Sequence, residues 1–170
     1  GSVAWLKVCY CVCRLQQFYK RLEPQDHRIL VTLRDDAKDA EIPRNQYLIL
    51  NFFSEAGYQI FVLEQQGLLG LAQISPLTAP NDAPAAWAIP TGAAGAYGYH
   101  TTDATLAGAS VRFAPNNTYA KFESTAKEIA FSSGPVTNEA TDIIFKSQIT
   151  NQQEAGDYHS SVTYIVVPIF

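Results

Sequence analysis

The sequence predicts an α+β chain: an N-terminal helix and a βαβ segment, followed by an antiparallel β-sandwich or open barrel. Three observations lead there. Apolar residues recur at spacings of three and four near the start, and they alternate in twos near the end. Between these regions, SPLTAPNDAPAAWAIPTGAAGA carries Pro76, Pro80, Pro84 and Pro90 and reads as a linker or a long irregular strap. Composition changes across the same seam. All three cysteines lie within residues 1–74, whereas residues 96–170 lack cysteine and tryptophan and are rich in Thr, Ser, Ala and Asn. The expected organisation is an α/β segment over 1–74, a Pro/Ala-rich linker over 75–95 and an antiparallel β domain over 96–170.

In the first segment, Leu6, Cys9, Val12, Cys13, Leu15, Phe18, Tyr19 and Leu22 follow helical spacing, with Arg14, Gln17, Lys20 and Arg21 opposite. This predicts an amphipathic helix over about residues 3–22, with Pro24 just beyond it. Residues 28–33 (RILVTL) form a short apolar run of buried-strand type. After the charged loop RDDAKDAE, Pro43 suits the first turn of a second helix over 44–56, and Gly57 suits its end. Residues 58–63 (YQIFVL) read as the next strand, so 28–63 reads as a βαβ unit with a right-handed crossover. Ligands in open α/β sheets gather at the carboxyl ends of strands. That reasoning makes Arg34, Asp35, Asp36, Asp39 and Arg44 the candidate ligand-binding residues.

In the second segment, residues 96–102, 110–113, 119–125 and 127–132 are strand candidates separated by Pro115-Asn116-Asn117 and Gly134-Pro135. Residues 140–150 alternate, with Ile143, Phe145 and Ile149 on one face and Lys146, Gln148 and Thr150 on the other. The turn-rich NQQEAGD follows, and then YHSSVTYIVV over 158–167, in which Val162, Tyr164 and Val166 share a face. The two runs read as a closing hairpin.

Several functions are disfavoured. A net charge of −4 offers no basic footprint for nucleic acid, and residues 91–170 hold four Lys/Arg against seven Asp/Glu. No run of about 20 apolar residues marks a membrane span. Neither G-x-G-x-x-G nor a P-loop occurs, and no G-x-S-x-G elbow or H-E-x-x-H pairing is found. No catalytic residue, cofactor or metal site is assigned. Cys9, Cys11 and Cys13 form C-x-C-x-C, and on a helix residues two apart diverge, so they read as free thiols packed as small hydrophobes. Tyr97, Tyr99, Tyr119, Tyr158 and Tyr164 serve packing first and leave a protein, a second copy or a carbohydrate as partner classes.

The ending QEAGDYHSSVTYIVVP resembles the closing hairpin of bacterial secreted and cell-surface β-sandwich modules, through Ala155, Gly156, Tyr158, Val162, Thr163, Tyr164, Val166 and Pro168. The resemblance implies a non-enzymatic structural or adhesive module of a cell envelope or extracellular assembly. Residues 28–64 resemble more weakly the Rossmann-like half of certain bacterial glycosyltransferases. That resemblance implies, as the alternative, an incomplete nucleotide-sugar-binding module with a β appendage, placed in the cytoplasm.

Overall fold

A computed structural model describes residues 4–11, 30–34, 46–54, 56–107, 110–115, 117–154 and 158–169, the first three of these segments in backbone course alone. In chain order the strands are β1 (Ala4–Cys11), β2 (Leu30–Arg34), β3 (Gln46–Ser54), β4 (Tyr58–Leu69), β5 (Ser75–Pro76), β6 (Ala85–Ala86) and β7 (Gly95–Thr101). They continue as β8 (Thr105–Leu106), β9 (Ser110–Val111), β10 (Thr118–Tyr119), β11 (Lys127–Ser132), β12 (Val136–Ile149) and β13 (His159–Pro168). No helix occurs among the described residues.

Among the described residues the α+β expectation is therefore corrected to an all-β fold. Residues 4–11 of the predicted first helix are strand β1, and the rest of that helix lies outside the described residues. The predicted second helix is strand β3. Its sequence QYLILNFFS is almost continuously apolar, and such a run satisfies a period of two as readily as one of 3.6. Aromatic and branched side chains then favour the extended form. The βαβ unit falls with the helix. Strands β2 and β3 pair antiparallel, Leu30 opposite Asn51 and Arg34 opposite Tyr47, while β4 belongs to the other sheet.

Two larger sheets are formed, one in the order β1-β13-β4-β11 and one in the order β2-β3-β12-β7-β5. Both strands of the predicted closing hairpin exist, but they do not pair with each other. β12 lies between β3 and β7, and β13 between β1 and β4. Alternation fixes which face of a strand is buried and leaves its neighbour unspecified. β12 and β13 thus belong to different sheets, and each sheet contains strands from both compositional segments, which alternate in β1-β13-β4-β11.

Residues from both sheets meet in one core. Ile60 and Val62 of β4, Ile129 of β11, and Val162 and Tyr164 of β13 join Tyr97 and Tyr99 of β7 and Ile143 of β12. The rings of Tyr99, Phe122 and Phe145 are packed in series, with Phe122 lying 4.7 Å from Tyr99 and 5.4 Å from Phe145 between centroids. Aromatic contacts of this kind add about 0.5–1.5 kcal/mol beyond burial.

The proline-rich stretch is a strap laid over the opposite face of β7. Leu77 N–H donates to the Tyr97 carbonyl (2.9 Å), and Lys121 N–H donates to the Ala79 carbonyl (2.8 Å). Leu77, Ala96 and Tyr119 make a second buried cluster, against which Trp87 and Ile89 pack. Every residue of β7 is consequently buried, on both faces of its sheet. Gly57, expected to end a helix, instead starts β4 at φ +112°, where a Cβ would overlap the Ser132 carbonyl oxygen.

Strand β11 lies at the edge of its sheet, and its outer polar groups are met by side chains. Thr101 Oγ1 donates to the Ile129 carbonyl (2.8 Å), Asn81 Nδ2 to the Glu128 carbonyl (3.1 Å), and Phe131 N–H donates to Asp103 Oδ2 (2.8 Å). Three side chains thus do what a further strand would do. No helix among the described residues is long and apolar enough to cross a membrane.

Candidate functional site

Two side-chain clusters flank the strap. The first lies on the outer face of β7 and β12. Period-two alternation sends Phe145 into the core and leaves Lys146 and Gln148 on the opposite face. There Trp87 Nε1 donates to Gln148 Oε1 (2.7 Å), and the Trp87 ring meets Tyr119 edge-on, 5.2 Å between centroids at 80°. The Lys146 ammonium sits 4.5 Å from the Trp87 ring centre and 4.9 Å from that of Tyr119. Partial burial lowers its pKa below the ordinary lysine value, and the ring faces offset part of that desolvation. The cluster fastens the strap to the sheet, and its ring faces are already occupied by a cation of the same chain.

His100 lies beside this cluster. Its Nδ1 is 2.8 Å from the Thr118 carbonyl oxygen, which can only accept, so Nδ1 carries the donated proton. The ring lies 5.8 Å from Tyr119 and edge-on to Phe113 at 5.7 Å. Burial among these rings pushes the His100 pKa down, partly opposed by the hydrogen bond to Thr118.

The second cluster is a polar network under the other end of the strap. Asn81 is 1% exposed. Its Nδ2 donates to Tyr99 Oη (2.7 Å), and its Oδ1 accepts from the Arg112 guanidinium. Arg112 also lies 3.9 Å from Glu128 Oε1. Glu128 accepts from Ala107 N–H (2.7 Å) and from Gln59 Nε2 (2.8 Å). Each member is held by partners from a different element, so the network ties the strap, the β8–β9 hairpin, β4 and β11 into one unit. Elsewhere Tyr97 Oη donates to Glu64 (2.7 Å) and Tyr58 Oη to Glu139 (2.9 Å). Burial raises the pKa of Glu64, against the lowering effect of its Tyr97 hydrogen bond.

Of the residues predicted as a site, Arg34 is the last residue of β2, and Asp35, Asp36, Asp39 and Arg44 lie outside the described residues. The premise for grouping them was a parallel strand end, and β2 is paired antiparallel. His27 and Cys13 also lie outside the described residues, whereas Cys9 and Cys11 are on β1 and His159 opens β13. Among the described residues, no three His, Cys, Asp or Glu gather as a metal cage. Sequence reasoning missed Asn81, Arg112 and Glu128, which are separated by 31 and 16 positions in the chain. Trp87 was legible in principle, since a large aromatic side chain in a Pro/Ala-rich stretch signals a packed strap.

No family model matches the chain, and neither a curated protein nor a solved structure does.

Proposed function

We propose that the protein is a non-enzymatic structural or adhesive module of a bacterial cell envelope or extracellular assembly. The observation that carries this reading is the placement of the closing pattern. Tyr158, Val162 and Tyr164, through which the tail resembles secreted and cell-surface β modules, are all core residues, and β13 is a central strand. Two further features agree with the reading. The strap is fastened at both ends by side chains, and the outer edge of β11 is met by Thr101, Asn81 and Asp103. Such an arrangement suits a part that holds its shape under exposure to other macromolecules.

Co-sedimentation of the purified chain with insoluble bacterial cell-wall material, alongside calorimetry against nucleotide sugars, tests the reading. Saturable co-sedimentation without heat from any nucleotide sugar is expected. Stoichiometric nucleotide-sugar binding, or turnover of one, would overturn it.

A further inference from the structure

His100 is buried beneath a part of the fold that it helps to hold down. The register sets His100 opposite Ile144 and Gly98 opposite Lys146, so His100 and Lys146 share the outer face of their sheet, the face covered by the strap. Above it lies a two-stranded ribbon, β6 paired with β10, with Ala86 opposite Thr118 and Ala85 opposite Tyr119. His100 grips this ribbon through the hydrogen bond from Nδ1 to the Thr118 carbonyl and through its contact with the Tyr119 ring. Its other neighbour is Phe113, a buried ring met edge-on. Phe113 is the one non-glycine residue with positive φ among the described residues, at 56°. A left-handed backbone is costly for a bulky side chain and persists only where the surroundings impose it. The neutral imidazole is thus enclosed by a ribbon that it fastens and by a strained residue.

We infer that the β6–β10 ribbon, together with Trp87, is an acid-released flap: protonation of His100 frees it from the outer face of β7 while the core between the sheets stays closed. A second ring proton places a positive charge among aromatic rings and away from water. Lys146, whose ammonium lies against the same Tyr119 ring, repels that charge. Asp142 is the carboxylate of this face, two positions from Ile144 on the side away from Lys146. Arg112, next to Phe113 in the chain, is turned to Asn81 and Glu128, and Ala85, Ala86 and Trp87 bring no charge. Burial remains the largest effect on the ring and favours its neutral form while the ribbon is closed. Opening returns the ring to water, so the open form binds the proton more tightly. Its share grows as pH falls below about 6.5, by up to about tenfold per pH unit. Opening stays local because the fastenings are unequal. The Trp87 end is held by Gln148, Lys146 and His100, whereas Asn81 stays tied to Tyr99 and Arg112, and Ala120 to Tyr99, as hinges. This inference does not depend on the envelope reading.

The test follows tryptophan emission of the full chain from about pH 7.5 to about pH 5, the range in which histidine changes charge. A red shift on acidification is expected while far-UV circular dichroism stays constant. Trp87→Phe, which leaves Trp5 as the sole tryptophan, should lose the shift, and so should His100→Gln. In the wild type, the His100 ring-proton resonance, assigned by elimination with His27→Gln and His159→Gln, should titrate with the midpoint of the emission change. Constant emission would overturn the inference, as would a shift retained in Trp87→Phe or in folded His100→Gln. Loss of the circular dichroism signal along with the shift, or a His100 resonance that titrates apart from the emission, would overturn it equally.

Discussion

At the scale of single residues, Gly98 shows how closely the strap approaches the sheet. A Cβ at this position would lie 2.6 Å from the Ala120 carbonyl oxygen and 2.6 Å from Leu77 Cδ1. The carbonyl is fixed, because Ala120 and Tyr99 exchange both backbone hydrogen bonds, at 2.8 and 2.9 Å. Gly98→Ala should destabilise the protein by about 1–3 kcal/mol through overpacking, read as a lower urea midpoint at unchanged slope. His100 makes a second prediction. Its folded pKa lies below the unfolded value of 6.5, so the unfolded chain binds the proton first as pH falls. The contribution of the neutral ring is complete above about pH 6.5 and is lost as pH falls toward the folded pKa. The urea midpoint of the wild type should drop further between pH 7.5 and 5.5 than that of His100→Gln. Glu64, with a raised pKa, acts in the opposite sense and is common to both proteins. Equal drops would show that His100 does not titrate in this window.

At the scale of elements, the edge of β11 is the informative case. Thr101 donates to the Ile129 carbonyl and Asp103 accepts from the Phe131 N–H, occupying the backbone groups that β11 would otherwise present to another chain. Thr101→Val combined with Asp103→Ala should leave those backbone groups unmatched and promote concentration-dependent self-association, visible as a shift in size-exclusion elution. Continued monodispersity at high concentration would count against this role. Sequence reading succeeded for strands with clear alternation or turn boundaries. β11 was placed at 127–132 and is found there, β7 differs by one residue at each end, and the runs at 28–33 and 58–63 became β2 and β4. It failed at β1 and β3, where apolar residues are dense enough to satisfy either period. It also failed on partners. The alternation of Ile143 and Phe145 identifies a buried face and says nothing about whether β3 or β13 lies alongside. The partners gathered around Asn81 and Trp87 were illegible for a related reason, since each cluster is assembled from positions tens of residues apart, even where Trp87 itself marks a packed strap.

At the scale of the whole molecule, the sheets are woven from both ends of the chain. β13 pairs with β1 and β4, and β12 pairs with β3 and β7, so a fragment of residues 91–170 would lose both partners of β13 and one of β12. That fragment should show no cooperative thermal transition by circular dichroism, whereas the full chain should show one. A cooperative melt of the fragment would mean that these strands can close a core without β1, β3 and β4. Pairings as distant as Ala4 with Val166 also place this fold among the slow ones, because long loops close before such contacts can form. The same register has a mechanical consequence. Ala4 and Val166 are neighbours at one end of the β1–β13 ladder, so opposed tethers attached there would peel the strands apart one rung after another and meet little resistance. Tethers at Ala4 and His159 would instead load all the rungs together, and resistance to pulling would depend on where the molecule is gripped.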